Sequence, residues 1–337
     1  MLKISNILIF GLILFSSCSD ESGGPLQQIH ADQVTPWIRY EHLLSEIDTA
    51  SPKAGIHKLF ELYPEFSKVY FSAVINNLER PDTVNTSIFK SYASSAIINL
   101  LVDTIDHLFP KLDDQEQIFS DGMARLKHLV PEVSEPKVFT AISGFSTAAG
   151  VLSDSVLLLS PEMYFGRGNK FYDTDTWPLF IQRTMNRQNM ASNLLKTYLR
   201  FNLLPQYEPV NMLDHMIQQG KEAWLLSQIL PTAMDTLVFD YTPRQLKFCR
   251  DNEKEIWSYF MREKLVYETN MRKIVKYVNP SPTSPGMPPD APGRIAAFTG
   301  FKIIEAYLAR HPKQVLRDFL QERDGRKILE QARYKPD

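Results

Sequence analysis

The chain has 337 residues, of which 44% are hydrophobic and 23% are charged, and its formal net charge is −2. This composition supplies a large buried core, and a near-neutral charge without a long basic run argues against nucleic-acid binding. The two cysteines, Cys18 and Cys249, exclude a framework of several disulfides.

The N-terminus has the layout of a secretory signal peptide. MLKISNILIFGLILFSSC begins with a positive end and continues into an apolar stretch from Ile7 to Phe15, which is far shorter than the roughly 20 residues that span a bilayer. Phe15-Ser16-Ser17-Cys18 resembles a bacterial lipobox, so we expect residues 1–17 to be removed and Cys18 to carry the lipid, palmitate included. An ordinary signal peptide with an incidental cysteine is the alternative.

Residues 18–33 predict a lipidated flexible tether. SDESGG, after the cysteine, is polar and glycine-rich, and several acyl chains on Cys18 would make attachment to the lipid membrane effectively permanent. The acidic start also resembles signals that send lipoproteins to the cell surface in some Bacteroidetes, with a plain solvated tether as the alternative. We expect a lipid-anchored protein of the cell envelope at the outer membrane, with the periplasmic or surface face left open.

Apolar residues at three- and four-residue spacing predict a helical N-terminal part, followed by a change of pattern. The predicted helices are Trp37–Ile47, Pro64–Leu78, Ile88–Leu108 and Gln115–Val130. β-branched and aromatic runs divided by glycines then predict two strands, Lys137–Ile142 and Ser155–Leu159. The fold class is therefore α+β and mainly helical, with one globular domain (34–337) comprising a helical part (34–135), a small sheet (136–170) and a second helical part (171–337).

The second helical part is predicted to contain five helices. They are Phe180–Leu203, Val210–Leu230, Pro243–Val266, Arg294–Ala309 and one within Pro312–Ala332. Thr242 before Pro243 is typical of an N-cap followed by proline at the first helical position. The Arg294–Ala309 helix is apolar nearly all round, which predicts a central position, and Lys302 can pair with Glu305.

Glu253 lies on the apolar face of the predicted Pro243–Val266 helix, beside Cys249 and Trp257, at 100° per residue. A carboxylate there is either paired or has a raised pKa; a structural pair with an arginine or a tyrosine hydroxyl is the alternative to a functional site. The Cys249 thiol is interpreted as a small core hydrophobe rather than a nucleophile.

Residues 279–293, NPSPTSPGMPPDAPG, hold six prolines. Such a segment cannot form a helix or a central strand, so it predicts an extended surface loop. A stiff connector is the favoured interpretation, and docking to an aromatic groove of a partner is the alternative.

The usual catalytic templates are incomplete. The seven histidines include no pair four residues apart, so the sequence has no His-Glu-x-x-His zinc helix. Gly144-Phe145-Ser146-Thr147-Ala148 lacks the second glycine of a nucleophile elbow, and Asp173-Thr174-Asp175 reaches Trp177 without the glycine of a calcium loop. We therefore predict no metal and no cofactor.

The order of motifs from about residue 155 onward resembles the gliding-motility-associated lipoprotein GldB family of Bacteroidetes. The segments that carry the resemblance are SPEMYFGRGNKFYD, MIQQGKEAWLLSQILP, FDYTPRQLKFCRDNEKEIWSYF, SPGMPPDAPGRIAAFTGFKIIEAYLAR and a terminal YKP. The positions are Gly166, Gly220-Lys221, Tyr241-Thr242, Glu253, Trp257, Pro292-Gly293-Arg294, Gly300 and Tyr334-Lys335-Pro336.

The resemblance implies an envelope protein that serves gliding and the associated protein secretion machinery, with proteins of that machinery as partners. The family is also distantly similar to predicted zinc peptidases, which carry His-Glu-x-x-His on one helix and Glu-Gly on a second. Here the first helix reads Gln188-Asn189-Met190-Ala191-Ser192 and Gln219 precedes Gly220. The resemblance therefore allows a degenerate zincin-like scaffold whose chemistry is lost, a pseudo-peptidase.

Three functional hypotheses follow. The first is a non-catalytic accessory lipoprotein. The second is a degenerate or cryptic peptidase or hydrolase of the envelope, acting through a pocket near Lys221, Tyr241, Glu253 and Arg294. The third is a surface lipoprotein that binds nutrients or glycans, for which exposed aromatic rows would be needed.

Overall fold

A computed structural model describes residues 25–75 and 85–336. The predicted signal peptide, Cys18 and the end of the predicted Pro64–Leu78 helix lie outside the described residues. Within them, the protein is a mainly helical α+β structure with sixteen α-helices and one four-stranded sheet, as the sequence predicts. None of the described helices combines the length and the hydropathy that crossing a bilayer would require.

The sheet has the order β1-β2-β4-β3. Its strands are β1 (Ile38–Arg39), β2 (Lys137–Thr140), β3 (Ala149–Ser153) and β4 (Val156–Leu159). β1 and β4 run parallel to β2, with Phe139 opposite Leu158, and β3 returns antiparallel beside β4. Strands β2 and β4 confirm the two predicted strands, whereas β1 and β3 were missed.

Both faces of the sheet are buried, against different sets of helices. Val138, Leu157 and Leu159 face the larger core, which holds most of the C-terminal helices. Phe139 and Leu158 face a smaller core formed by the N-terminal helices. Since successive side chains of a strand point to opposite faces, a strand covered on both sides becomes a continuous apolar run.

The first four helices cover one face of the sheet, and the next two belong to the larger core. Their bounds are α1 Tyr40–Ser45, α2 Pro52–Leu62, α3 Pro64–Ala73, α4 Thr86–Ala93, α5 Ala96–Leu108 and α6 Asp113–Leu129. Two predictions are wrong here. The predicted Trp37–Ile47 helix begins with β1, because Ile38 and Arg39 pair with β2, and the predicted Ile88–Leu108 helix is interrupted at Ser94 and Ser95.

The remaining helices form the second helical part. Their bounds are α7 Leu179–Gln182, α8 Asn189–Tyr198, α9 Met212–Ile229, α10 Asp235–Phe239, α11 Pro243–Asp251, α12 Glu253–Arg262, α13 Met271–Val278, α14 Ile295–Arg310, α15 Leu316–Gln321 and α16 Gly325–Ala332. A π-helical turn, Leu199–Leu203, follows α8. The predicted Phe180–Leu203 helix is therefore two pieces, α7 and a second one in which α8 continues directly into the π-helical turn.

The predicted cap of α11 is confirmed, but the helix is shorter than predicted. The Thr242 hydroxyl accepts from the Gln245 N–H, and the Gln245 side chain accepts from the Thr242 N–H, which satisfies two of the otherwise unpaired amides. Asn252 then ends α11, because its side-chain amide donates to the Phe248 carbonyl at 2.8 Å and competes with the helical pattern. Glu253 consequently begins a new helix.

The N-terminal segment is attached to the domain rather than free to residue 33 as predicted. The Gln27 side chain donates to the Leu230 carbonyl at 2.9 Å, and the Arg125 guanidinium donates to the Ile29 carbonyl at 3.1 Å. The Ala31 N–H donates to Asp121 at 2.9 Å. These bonds fix the segment to α6 and to the end of α9.

Candidate functional site

Two glycines bring α9 and α14 into close contact. A Cβ atom at Gly300 would lie 1.8 Å from the Met216 carbonyl oxygen, and one at Gly220 would lie 2.3 Å from the Gly300 carbonyl carbon. No side chain fits at either position. The close crossing places the start of α14 beside the middle of α9.

Arg294 occupies that start, and its guanidinium connects three other side chains. Its backbone is left-handed, with a φ of 60°. Nε lies 3.3 Å from Gln219 Oε1, Nη2 lies 3.4 Å from Glu222 Oε1, and Nη1 lies 3.6 Å from Asp240 Oδ2. The buried Tyr241 hydroxyl donates to the Arg294 carbonyl at 3.0 Å, and burial raises the pKa of that tyrosine well above its usual value.

Lys196 and Arg200 add two further cations to this group. We call the whole set the Arg294 cluster; its members are Lys196, Arg200, Gln219, Glu222, Asp240 and Arg294. Arg200 binds the Glu222 carboxylate through two nitrogens at 2.8 and 3.0 Å. Lys196 Nζ lies 2.6 Å from Asp240; burial lowers the pKa of this lysine, and the Asp240 carboxylate opposes that shift. A bidentate pair and shared carboxylates of this kind fix the relative orientation of α8, α9 and α14.

Of the two positions compared with the zinc-peptidase helices, Gln219 belongs to the Arg294 cluster and Asn189 contacts it. Asn189, at the start of α8, donates to Asp240 at 3.4 Å, and Gln219 accepts from Arg294. Zinc takes imidazole, thiolate and carboxylate ligands, whereas these positions carry neutral amides. The nearby carboxylates of Glu222 and Asp240 each bind two cationic side chains. The donor set therefore does not fit zinc, and no other described group of three His, Cys, Asp or Glu residues is placed to hold a metal ion.

One wall of a cavity of about 490 Å³ is formed by the cluster. Arg200, Glu222 and Arg294 line it together with Tyr207 and His215. Burial lowers the pKa of His215, which favours the neutral imidazole. The cavity thus offers charged and neutral hydrogen-bonding groups to a small polar ligand.

Lys221 lies away from this cluster, in the contact between α9 and the C-terminal helices. Its ammonium group donates to the carbonyls of Phe319, Leu320 and Glu322 at 2.8, 3.1 and 2.5 Å. These carbonyls end α15, where backbone acceptors lack helical partners. Burial lowers the pKa of Lys221 to about 8.

Glu253 also lies apart, at the start of α12. Its carboxylate accepts from the Tyr334 hydroxyl at 3.0 Å and lies 3.6 Å from Lys302 Nζ, and Trp257 packs edge-on against Tyr334. This arrangement is the structural tyrosine pair considered for Glu253. Of the four residues of the predicted pocket, Tyr241 contacts the backbone of Arg294, whereas Lys221 and Glu253 make their contacts elsewhere, so the four side chains do not share one pocket.

Other predictions concern neighbouring residues. Lys302 pairs with Glu305 at 2.7 Å, as predicted. Cys249 is fully buried, and burial raises the pKa of its thiol to about 12, which is the behaviour of a core residue. The loop at 279–293 is irregular as predicted, but Ser284, Ala291 and Pro292 are buried rather than spread across the surface, and the Ser284 hydroxyl donates to the Pro292 carbonyl at 2.6 Å.

Sequence reasoning missed four members of the cluster: Lys196, Arg200, Glu222 and Asp240. One signal was present, because Lys196 lies within the apolar stretch of α8 and precedes Arg200 by four residues, on the same helical face. Their common partners come from distant elements, and only the packing of these elements shows which charges meet.

Comparison with known proteins gives one family. A family model described as gliding motility protein GldB matches residues 26–336. No match was found among curated proteins or among solved structures. The matched region includes every helix and strand described above and the whole Arg294 cluster. Because it covers nearly the entire chain, the protein belongs to the GldB family of gliding motility proteins.

Proposed function

We propose that this protein is a lipid-anchored envelope lipoprotein that serves as a non-catalytic accessory of gliding motility and of the associated protein secretion machinery. Its partners in this proposal are the lipid membrane, through acylated Cys18, and envelope proteins of that machinery. The observation that carries the proposal is the family match over residues 26–336, to which the lipobox adds a means of anchoring.

The attachment of the N-terminal segment supports a membrane-proximal position. Leu26 is the eighth residue after Cys18, and eight residues of extended chain span at most about 28 Å. Gln27 is already bound to the end of α9. A lipid on Cys18 would therefore hold this end of the domain close to the bilayer, on the outer membrane in our proposal.

The Arg294 cluster argues against zinc catalysis at the two zinc-peptidase positions. Arginine and lysine side chains bind both carboxylates near the two zinc-peptidase positions, and the cluster fixes three helices together. The alternative is a degenerate or cryptic peptidase or hydrolase of the envelope. Stoichiometric zinc in the purified protein together with peptide cleavage would establish that alternative and contradict the accessory role.

The proposal is tested by replacing Cys18 in the native host. We expect Cys18→Ala to abolish metabolic labelling with radioactive palmitate and to reduce gliding speed. Cys249→Ala is the matched control, because it removes the other cysteine and leaves the lipobox intact; this variant should retain both palmitate labelling and gliding. Full gliding by an unlabelled Cys18→Ala protein would contradict the need for a lipid anchor.

A further inference from the structure

The described part of the chain contains a groove of about 760 Å³ at the C-terminal end of the molecule. We call it the C-terminal groove: it lies between residues 250–255, the last turns of α14 at 302–310, and the segment 332–336. Ala306 and Ala309 present small side chains to it and leave room for a backbone. A volume of this size accommodates a ligand of several residues or of drug size.

The charged side chains in the interior of the C-terminal groove bind one another, with one lysine between two carboxylates. Glu253 accepts from Tyr334 at 3.0 Å, and Lys302 lies 2.7 Å from Glu305 and 3.6 Å from Glu253. Trp257 supports the Tyr334 ring at a centroid distance of 5.2 Å. These contacts connect α12, α14 and the C-terminal segment, so the walls are in place before any ligand binds.

The rim of the groove carries uncompensated positive charge. Lys254, Arg333 and Lys335 are exposed, and among the described residues none of them has a carboxylate partner. The Arg310 guanidinium donates to the Ala332 carbonyl at 2.8 Å and likewise lacks a carboxylate. Among the described lining residues, Glu255 has no cation partner, and Glu253 and Glu305 share Lys302. This lining carries six cations against four carboxylates, an excess of two positive charges.

Two other charged residues at one end do not change this balance. Arg250 pairs with Asp235 at 2.8 Å, and Asp251 pairs with Lys247 at 2.6 Å. Each of these lining residues is neutralised by a partner outside the groove. The excess of cations therefore belongs to Lys254, Arg310, Arg333 and Lys335.

We propose that the C-terminal groove binds an extended, acidic segment of a partner protein. The unpaired cations are distributed over α12, α14 and the C-terminal segment, which suits carboxylates spaced along a chain; a single phosphate or lipid headgroup is bound by donors that converge on one point. The alanines between them admit the backbone of that chain. Complementary charge of this kind accelerates association and selects the partner.

This proposal names a partner chemistry for the accessory role and in that respect rests on the proposed function. Its test is binding by the purified full mature chain in neutral detergent, followed by fluorescence anisotropy. The probe is a fluorescein-labelled peptide of alternating Asp and Gly, and the control peptide alternates Asn and Gly. We expect saturable binding of the acidic peptide alone, weakening as salt rises from about 50 to about 300 mM.

Charge reversal locates the site. Lys254→Glu combined with Lys335→Glu should weaken binding of the acidic peptide by about tenfold or more, because attraction becomes repulsion at two rim positions. Lys53→Glu with Lys58→Glu is the matched control: both lysines are exposed on α2, and the net charge changes equally. The affinity of this control variant for the acidic peptide should be within about twofold of that of the native chain.

Three results would overturn the proposal. The first is that the Lys254/Lys335 and Lys53/Lys58 variants bind the acidic peptide equally well. The second is that the native chain binds the acidic and the control peptide equally well. The third is that phosphatidylglycerol–phosphatidylcholine vesicles bind in a groove-dependent way and the acidic peptide does not bind. Vesicle binding of that kind would assign the groove to lipid headgroups. Because the assay requires neither gliding nor palmitate, its failure is distinguishable from failure of the proposed function.

Discussion

Glu162 is a fully buried carboxyl group that holds the turn after β2. One of its oxygens accepts from the Ser143 N–H at 2.6 Å and from the Ser143 hydroxyl at 2.9 Å. The other oxygen is buried without a hydrogen-bond partner among the described residues. Burial raises the pKa of Glu162 from 4.5 to about 7, since hydrogen bonds to the ionised form oppose only part of the cost of burying charge.

This shift makes stability depend on pH. Between pH 4.5 and about 7, the folded protein keeps a proton on Glu162 that the unfolded chain has released. The stabilising contribution of the Glu162 proton to the free energy of unfolding is therefore fully present below pH 4.5. It falls as pH rises, by up to about 1.4 kcal/mol per pH unit. We predict that Glu162→Gln removes this part of the slope in urea unfolding measured across that range. Glu330→Gln, at an exposed position, should retain the native slope; identical slopes in all three proteins would refute the assignment.

Lys221 acts through hydrogen bonds that end α15. Lys221→Met keeps the aliphatic stem but leaves three carbonyl acceptors without their donor. We predict a loss of about 1–3 kcal/mol in the free energy of unfolding by urea. Lys137→Met, at an exposed position of β2, should change that free energy by less than about 0.5 kcal/mol. A Lys221→Met protein as stable as this control would show that the buried amine has no structural role.

At the residue scale, the sequence singled out Tyr241 and Arg294 as members of one candidate pocket but not the contact between them or the remainder of the Arg294 cluster. Motif positions indicated those two residues, whereas Asp240 reaches Lys196 only because α8 and α10 pack together. Glu253 was correctly considered for a tyrosine pair, but Tyr334, its partner, is 81 residues away. Periodicity identifies a polar residue on an apolar face and does not identify the residue that meets it.

At the scale of elements, the crossing of α9 and α14 depends on the absence of two side chains. A Cβ at Gly300 would lie 1.8 Å from a backbone oxygen, so Gly300→Ala must move one helix away from the other. We predict a loss of about 1–3 kcal/mol or more in the free energy of unfolding. Gly150→Ala in β3, where a Cβ would meet nothing within 4 Å, is the control and should cost less than about 1 kcal/mol. Equal stability of the two variants would contradict the close crossing.

Long periodic helices were predictable from sequence, and interruptions were not. The 17 residues of α6 and the 18 residues of α9 match their apolar patterns closely, and the cap at Thr242 was visible in the proline that follows it. Asn252 and the Ser94-Ser95 break fall within apolar periodicity that continues on both sides. Strand β1 has two residues, and its conformation depends on pairing with β2, a long-range contact that no local pattern encodes.

At the scale of the whole molecule, the sheet separates two cores, and the N-terminal segment fixes the orientation of the domain relative to its proposed anchor. Residues Gln27 to Ala31 bind α6 and the end of α9, so a lipidated Cys18 would bring that end toward the bilayer. The C-terminal groove is formed by other elements, α12, α14 and the last residues of the chain. The protein would thus attach to the membrane and to an acidic partner through different surfaces.

The most direct test of the central claim is covalent cross-linking in living cells of the native host. Antibodies raised against the purified chain would capture its cross-linked products, and mass spectrometry would identify them. We predict reproducible capture of motility or secretion-machinery proteins with the native chain, and loss of these products with Cys18→Ala. Capture of peptidoglycan fragments or of a peptide substrate, without any protein of that machinery, would contradict the accessory role and favour an envelope hydrolase.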